Sequence, residues 1–187
     1  MSLRQPVSRV EIEDFLRRLG ADFKGSGRVY LVGGASIVFE KLRQQTLDID
    51  VVYEIAPQLL TAFISSVRDL MLELDVNVEE ASPGDFIPLP AGYADRHEYI
   101  GHFGQLDIFH FDLYSVALSK TSRGREQDYQ DVLALLRRQR VEWQKLKVYF
   151  QEILPQIGSK SLKQDPFQFE LNFKALESKW RQAGGLS

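Results

Sequence analysis

The stretch 28-RVYLVGGASIVFEKLRQQTLDIDVVYE-54 decides the fold that we predict for this chain. Its first part, 28-RVYLVGG-34, is typical of a buried strand that runs into a glycine turn. Residues 35–42 then carry apolar side chains at helical spacing. The segment 48-DIDVVYE-54 alternates polar and apolar residues before it becomes continuously β-prone. The stretch therefore predicts a strand, a turn, a helix and a second strand.

The rest of the chain divides into an α/β part and an all-helical part. In the first part we expect helices over 10–19, ending at Gly20, and from Pro57 to about Leu74, strands over 76–80, 97–102 and 105–111, and a Pro/Gly-rich loop over 82–93. In the second part we expect only helices, over 113–121, 126–139, 141–154 and 166–182. The predicted fold class is α/β (α+β): a small mixed sheet flanked by helices in a domain of residues 1–111, followed by a helical domain of residues 112–187.

Composition and charge exclude several classes of protein. With 44% hydrophobic and 26% charged residues, the chain has the composition of an ordinary globular protein. No run approaches the roughly 20 apolar residues that span a bilayer, and the N-terminal region, with its acidic 11-EIED-14, lacks the apolar middle of a signal peptide. We therefore expect a cytoplasmic protein with no membrane partner. The absence of cysteine excludes disulfides, thiolate zinc sites and cysteine nucleophiles, and the net charge of −3 argues against a surface coated with positive charge.

Two carboxylates at the start of the second strand form a candidate metal site. Because strand residues alternate faces, Asp48 and Asp50 project the same way, about 6.6 Å apart. Like charges raise one another's pKa, and a divalent ion removes that penalty. Mg²⁺, or Mn²⁺ in its place, suits such a pair, since Mg²⁺ binds one or two carboxylates together with phosphate oxygens. The alternative is that this Asp-x-Asp is only a solvated strand edge.

The glycines before the helix form a candidate phosphate site. Gly33 and Gly34 lie where a strand turns into a helix, so their backbone N–H groups can approach a phosphate. The alternative is an ordinary tight turn, because the stretch lacks the further glycines and the lysine of a P-loop. The combination with an Asp-x-Asp strand directly after the same helix favours the phosphate site.

These motifs together resemble a known superfamily. The order 33-GGAS-36, helix, 46-TLDID-50 resembles the glycine turn and Asp-x-Asp signature of the DNA polymerase β-like nucleotidyltransferases. The resemblance implies a third carboxylate from a later strand, and Asp107 in 106-LDIF-109 fits that pattern. Its chief rival is Asp112, which we interpret as a helix N-cap, and Asp95 is a weaker one. The superfamily commonly has serine directly after the glycines, whereas here Ser36 comes one position later.

A second resemblance lies in 112-DLYSVALSKTSRGREQDYQDVLALL-136. It is similar to the Lys-x-x-Arg and Arg-Asp-x-x-Asp region of small bacterial nucleotidyltransferases of the AbiEii toxin kind. The resemblance implies that Lys120 faces the nucleotide, followed by Arg123, Arg125 and Asp128. The alternative is a charged surface helix in which Arg125 pairs with Asp128.

Other candidate residues give weaker indications of function. We expect the three histidines to be surface or satisfied residues, because they lack zinc-ligand spacing: His97, His102 and His110. We expect five aromatic residues to form the core of the helical part: Trp143, Phe150, Phe167, Phe169 and Phe173. One basic run is the only patch that suggests RNA: Arg137, Arg138, Arg140, Lys145 and Lys147.

The function predicted from these residues is metal-dependent transfer of a nucleoside monophosphate from an NTP to an RNA, protein or small-molecule acceptor. Asp48 and Asp50 would hold two metal ions, Asp107 would complete the ligand set and act as base, and Lys120 would offset the charge of pyrophosphate. A small-molecule acceptor would call for an acidic pocket from Glu79, Glu80 and Asp85, and it ranks below RNA or protein. The alternative is a catalytically inactive nucleotide- or partner-binding module of a toxin–antitoxin type system. The sequence does not identify the acceptor, the nucleobase of the preferred NTP or the oligomeric state.

Overall fold

The structure is a computed structural model, and it describes residues 5–158 and 165–185. Within these residues the chain forms two compact units. The first comprises 5–81 and 97–111, and the second comprises 82–96 and the described residues from 112 onward. The predicted α/β (α+β) class is confirmed. The predicted division into domains of 1–111 and 112–187 stays a prediction, and its residues 1–4, 159–164 and 186–187 lie outside the described residues.

The first unit combines two sheets with three helices. Its elements are β1 (Val7–Ser8), α1 (Arg9–Asp22), β2 (Gly27–Leu31), α2 (Gly33–Phe39), β3 (Gln45–Thr46), β4 (Ile49–Ile55), α3 (Leu60–Leu74), β5 (Val78–Glu80), β6 (Glu98–Phe103) and β7 (Leu106–His110). The main sheet is mixed and has the strand order β5-β4-β2-β7-β6. β2 is its central strand, antiparallel to β4 and parallel to β7. β1 and β3 form a separate two-stranded pair, which the sequence did not predict.

The hydrophobic core of this unit is formed by side chains from one side of each helix and by alternate side chains of the strands. Ile49 and Val51 of β4 are buried among it, whereas Asp50 between them is only partly buried. Because neighbouring strand residues point to opposite faces, the core takes Ile49 and Val51, and Asp50 lies on the other face. Further core residues are Ile12, Phe15 and Leu16 of α1, Leu31 of β2, Phe63 and Leu70 of α3 and Ile108 of β7.

The first helix is longer than predicted. It begins with a capping box between Ser8 and Glu11, and it continues through Gly20 to Asp22. A Cβ added to Gly20 would collide with the backbone carbonyl of Phe103. The glycine therefore serves the close approach of the β6–β7 connection, and the prediction that it ends the helix was wrong.

The second unit contains the four helices predicted after residue 112. They are α4 (Leu113–Arg123), α5 (Glu126–Arg137), α6 (Trp143–Ile153) and α7 (Pro166–Gln182), and the segment 82–96 adds 3₁₀ turns at Pro83–Asp85 and Tyr93–Arg96. Phe150 stacks on Phe173 with ring centroids 3.9 Å apart, and Phe169 meets Phe150 edge-on. Phe167, by contrast, is 66% exposed, so its predicted place in the core was wrong. No helix in either described range is long and apolar enough to cross a membrane.

Candidate functional site

The glycine turn and the Asp-x-Asp strand meet at one corner of the first unit. Gly33 has a φ of 53°, a left-handed conformation that glycine adopts at little cost. A Cβ on this residue would collide with Oδ2 of Asp50, and the backbone N–H of Gly34 donates a hydrogen bond to the same oxygen at 3.3 Å. Gly33 therefore leaves space for the Asp50 carboxylate, and the N–H of Gly34 orients it. We name these three residues the glycine corner.

Gly34 is needed for a second close approach. A Cβ there would collide with Oγ1 of Thr46 and would lie 2.6 Å from Nη2 of Arg43. Arg43 Nε also donates to the backbone carbonyl of Gln45 at 2.8 Å, which fixes the guanidinium beside the corner. Sequence reasoning missed this cation, because nothing in its local pattern links it to the glycines. Arg43 therefore places positive charge beside Gly34.

Asp48 lies just before β4 and is held by an amide. Its Oδ1 accepts a hydrogen bond at 2.7 Å from Nδ2 of Asn77, and the same Nδ2 donates to Oε1 of Glu79 at 2.8 Å. Glu79 is also the register partner of Asp50 across the β4–β5 pair. Asn77 therefore brings together carboxylates from neighbouring strands. The sequence assigned Glu79 only to a small-molecule pocket and gave Asn77 no role.

Asp107 does not join Asp48 and Asp50. It lies on β7 in register with Arg28 of β2, whereas the backbone carbonyl of Asp50 accepts from the N–H of Val32, four residues further along β2. Four strand residues correspond to about 13 Å, and β2 lies between the two strands. Asp107 instead pairs with Nδ1 of His102 at 2.8 Å. The expectation that the three carboxylates meet at one point was therefore wrong, since strand order and register keep Asp107 away.

Asp112, the rival third carboxylate, belongs to the second unit. Its carboxylate accepts from the N–H groups of Tyr114 and Ser115, which confirms its predicted role as the N-cap of α4. The guanidinium of Arg96 binds both of its oxygens, at 3.0 and 2.9 Å. Burial alone would lower the pKa of Arg96, but the Asp112 carboxylate raises the pKa above its ordinary value. Asp112 is fully buried in these bonds.

Ser36 is committed to a buried hydrogen-bond chain. Its Oγ lies 2.9 Å from Nδ1 of His110, and Nε2 of that imidazole lies 2.9 Å from Oε1 of Glu40. Ser36 has no exposed surface, and His110 is 5% exposed. The hydroxyl therefore links α2 to β7. His110 is a satisfied residue, as the sequence predicted.

Lys120 and its neighbours form a buried charged cluster in the second unit. Lys120 Nζ lies 2.7 Å from Oδ2 of Asp131 and 3.4 Å from Oδ1 of Asp128, and all three side chains are at most 5% exposed. Arg123 Nη2 lies 2.6 Å from the same Oδ1 of Asp128. Asp128 thus pairs with Lys120 and Arg123, and the alternative of a solvated surface helix was wrong. Oδ2 of Asp128 is buried without a hydrogen-bond partner in the described residues.

The carboxylates of Asp48 and Asp50 are oxygen donors of the kind that a hard divalent cation takes. In the residues that the structure describes, no group of three or more His, Cys, Asp or Glu side chains is arranged to hold a metal ion. Two carboxylates, Asp48 and Asp50, are however sufficient protein ligands for Mg²⁺, because this ion keeps waters and completes its shell with substrate phosphates. The residues present therefore fit a metal that is held jointly by protein and nucleotide.

One comparison with known proteins gives a match. A family model described as a nucleotidyltransferase of unknown function (DUF6036) matches residues 11–181. No curated protein and no solved structure matches the chain significantly. The matched range contains every residue that the sequence predicted for the site.

Proposed function

Because the chain belongs to the family of nucleotidyltransferases of unknown function (DUF6036), we propose that its first unit binds an NTP and transfers the nucleoside monophosphate to an acceptor. The observation that carries the proposal is the glycine corner, where the backbone of Gly33 and Gly34 closes on the carboxylate of Asp50. This turn holds an acidic group in a fixed position, and carboxylate oxygen is a ligand that Mg²⁺ takes together with phosphate oxygens.

Two carboxylates and two groups that orient them make up the proposed metal site. Asp48 and Asp50 would hold Mg²⁺ or Mn²⁺, with Asn77 orienting the first and the Gly34 N–H orienting the second. Such an ion would supply positive charge to the phosphates and a lower pKa to the attacking hydroxyl. Arg43, beside Gly34, adds a fixed positive charge that favours the triphosphate at this corner.

The Lys120 cluster has a positioning role in this proposal. Lys120 is 3% exposed and ion-paired, so we assign it to holding α4 against α5. Arg123 keeps 29% of its side-chain surface exposed and has a buried Nε without a hydrogen-bond partner in the described residues. These two features support Arg123 as the phosphate-binding residue of this cluster, with Asp128 orienting its guanidinium.

The acceptor that we propose is RNA or protein. The acidic residues suggested for a small-molecule pocket have other partners. Glu80 accepts from the hydroxyl of Tyr53 at 2.6 Å, and Asp85 accepts from the N–H of Ser82 at 2.9 Å. A kinship with AbiEii-type toxins belongs to the same proposal and rests on the sequence resemblance. The proposed cytoplasmic location rests on the sequence composition.

The experiment is incubation of the full chain with each α-labelled NTP, Mg²⁺ or Mn²⁺, and either total RNA or cell lysate. We expect label in one of these fractions, and we expect Asp48→Asn and Asp50→Asn to abolish it while leaving thermal stability unchanged or raised. Asp69→Asn, an exposed aspartate of α3, is the matched control and should transfer normally. Full activity in Asp50→Asn would refute the assignment.

A second candidate is a catalytically silent binding module of a toxin–antitoxin type system. The separation of Asp107 from Asp50 favours it, since Asp107 was the third carboxylate that the resemblance implied. Calorimetry with each NTP and Mg²⁺ separates the two functions. Binding without label transfer in any fraction supports the silent module, and label transfer rules it out.

A further inference from the structure

A cavity of about 550 Å³ lies in the second unit, where the C-terminal ends of α5 and α7 meet the start of α6. Its lining includes Trp143, Trp180, Arg137, Gln139 and Gln144. The volume is within the range of about 300–1,000 Å³ that small-molecule sites occupy. No residue assigned above to the donor nucleotide lines it, so the proposed function leaves this cavity without a role.

The two tryptophans of the cavity are the only two in the chain. Trp143 is 7% exposed and stacks on Phe173, with ring centroids 5.4 Å apart, so its indole is a rigid wall. Trp180 has a buried indole N–H with no hydrogen-bond partner in the described residues. This N–H is not accessible from the cavity, so the indole contributes its ring to the lining.

Charge at the cavity favours an anionic ligand. Arg137, the last residue of α5, is exposed, and it forms no ion pair within the described part of the chain. The carboxylate in the lining, Glu142, is offset by Lys145 at 2.8 Å. Arg138 directly follows Arg137 and is also exposed. The lining of the cavity therefore presents the guanidinium of Arg137, which has no ion pair in the described part of the chain, whereas Arg138 lies outside the lining.

Three features of the lining match a nucleoside phosphate: two indole rings, the amide side chains of Gln139 and Gln144, and the guanidinium of Arg137. Bases stack on aromatic rings, with discrimination from hydrogen bonds to their edges, and arginine binds phosphate by paired N–H donors. We propose that this cavity binds a nucleotide residue of single-stranded RNA and that this RNA is the acceptor strand. The acceptor role rests on the proposed function, whereas the binding itself does not.

The test uses tryptophan emission, which reports on this cavity alone because both tryptophans line it. The full chain is titrated, without metal or NTP, with a short single-stranded oligoribonucleotide and separately with a free nucleoside monophosphate. We expect saturable quenching by the oligonucleotide. Arg137→Ala should weaken its affinity about tenfold, the loss of one charged hydrogen bond. Arg138→Ala, a neighbour outside the lining, should change it by less than about twofold.

Trp180→Phe replaces the indole of the lining by a smaller ring, and Trp143 still reports on binding in this variant. We expect it to bind the oligonucleotide more weakly than the wild type, because less aromatic surface is left for base stacking. Quenching by the free nucleotide alone would overturn the assignment to RNA. Absence of quenching by both ligands, or equal affinities of Arg137→Ala and Arg138→Ala, would overturn the site.

Failure of this proposal is distinguishable from failure of the proposed function. Asp50→Asn should lose label transfer and keep wild-type quenching by the oligonucleotide. If the wild type binds RNA in the cavity but transfers no label, the donor site is refuted and the cavity stands as an RNA site only. If it transfers label to RNA and Arg137→Ala transfers as well as Arg138→Ala, the acceptor role of the cavity is refuted.

Discussion

The carboxylate of Asp50 fills the space that a Cβ on Gly33 would need. The two residues are far apart in the sequence and come from a turn and a strand, yet neither can change without disturbing the other. Gly33 also has a left-handed backbone that other residues adopt only with strain. The acidic group at the corner thus depends on a backbone that only glycine provides.

Gly33→Ala should therefore remove both stability and transfer. We expect a loss of about 1–2 kcal/mol in the free energy of unfolding from backbone strain, before the displacement of Asp50 is counted. Transfer should fall at least as far as in Asp50→Asn. The matched control is Gly184→Ala, since Gly184 has a φ of 79° and an added Cβ there would meet nothing within 4 Å. Chemical denaturation and label transfer measure the two effects, and normal transfer by Gly33→Ala would contradict the proposed corner.

Asp107→Asn should leave transfer within about threefold of the wild type, a change in rate that corresponds to less than about 1 kcal/mol. Asp107 is about 13 Å along the sheet from Asp50, and its partner His102 is 56% exposed. The exposed pair should contribute no more than about 1 kcal/mol to stability. Steady-state label transfer measures the outcome. A loss as large as that of Asp50→Asn would restore Asp107 as the third metal ligand.

Lys120→Met should destabilise the second unit by about 3–5 kcal/mol, since it leaves buried carboxylates without their cation. The double variant Lys120→Met/Asp131→Leu should recover part of that loss, because it removes an uncompensated charge. The control is Lys145→Met, whose pair with Glu142 has a similar length, 2.8 Å, but is more than half exposed. That change should cost under about 1 kcal/mol. Urea unfolding decides, and equal effects of the two lysine variants would refute a structural role for Lys120.

Ser36→Ala should lower stability without changing the KM for NTP. The hydroxyl binds His110 in the interior, so its loss leaves a buried imidazole nitrogen unsatisfied at a cost of about 1–3 kcal/mol. Ser65→Ala, on the exposed side of α3, is the control and should be near neutral. Thermal unfolding and KM are measured together. A raised KM with unchanged stability would instead support the phosphate contact expected from the sequence.

Local sequence patterns correctly predicted the secondary-structure elements around Gly33 and Asp50 and the cap of α4. The strand, turn, helix and strand around Gly33 and Asp50 form as expected, because period and glycine placement are properties of neighbouring residues. The N-cap role of Asp112 is likewise a local effect and was predicted. The corner itself followed from two motifs on either side of one short helix.

Features that depend on distant residues were not predictable from one sequence. The place of Asp107 is set by the register of β7 against β2, and no local pattern encodes strand order. Gly20 looked like a helix end because its reason for being glycine, the carbonyl of Phe103, lies far along the chain. Lys120 was expected to face the nucleotide, and its burial against Asp131 was not predicted because Asp131 belongs to the next helix.

The segment 82–96 lies between β5 and β6 in the sequence, but its partners belong to the helical unit: Arg96 binds Asp112, and the N–H of Ala91 donates to Glu152. During synthesis on the ribosome, β2 can therefore pair with β7 only after the segment 82–96 has been made, and that segment can pack only after the later helices have been made. Contacts between residues far apart in the sequence slow folding and leave hydrophobic surface and unpaired strand edges exposed in the meantime. A truncation at residue 111 would complete the sheet yet leave the segment without Asp112 and Glu152, so the two units are expected to be inseparable by a single cut.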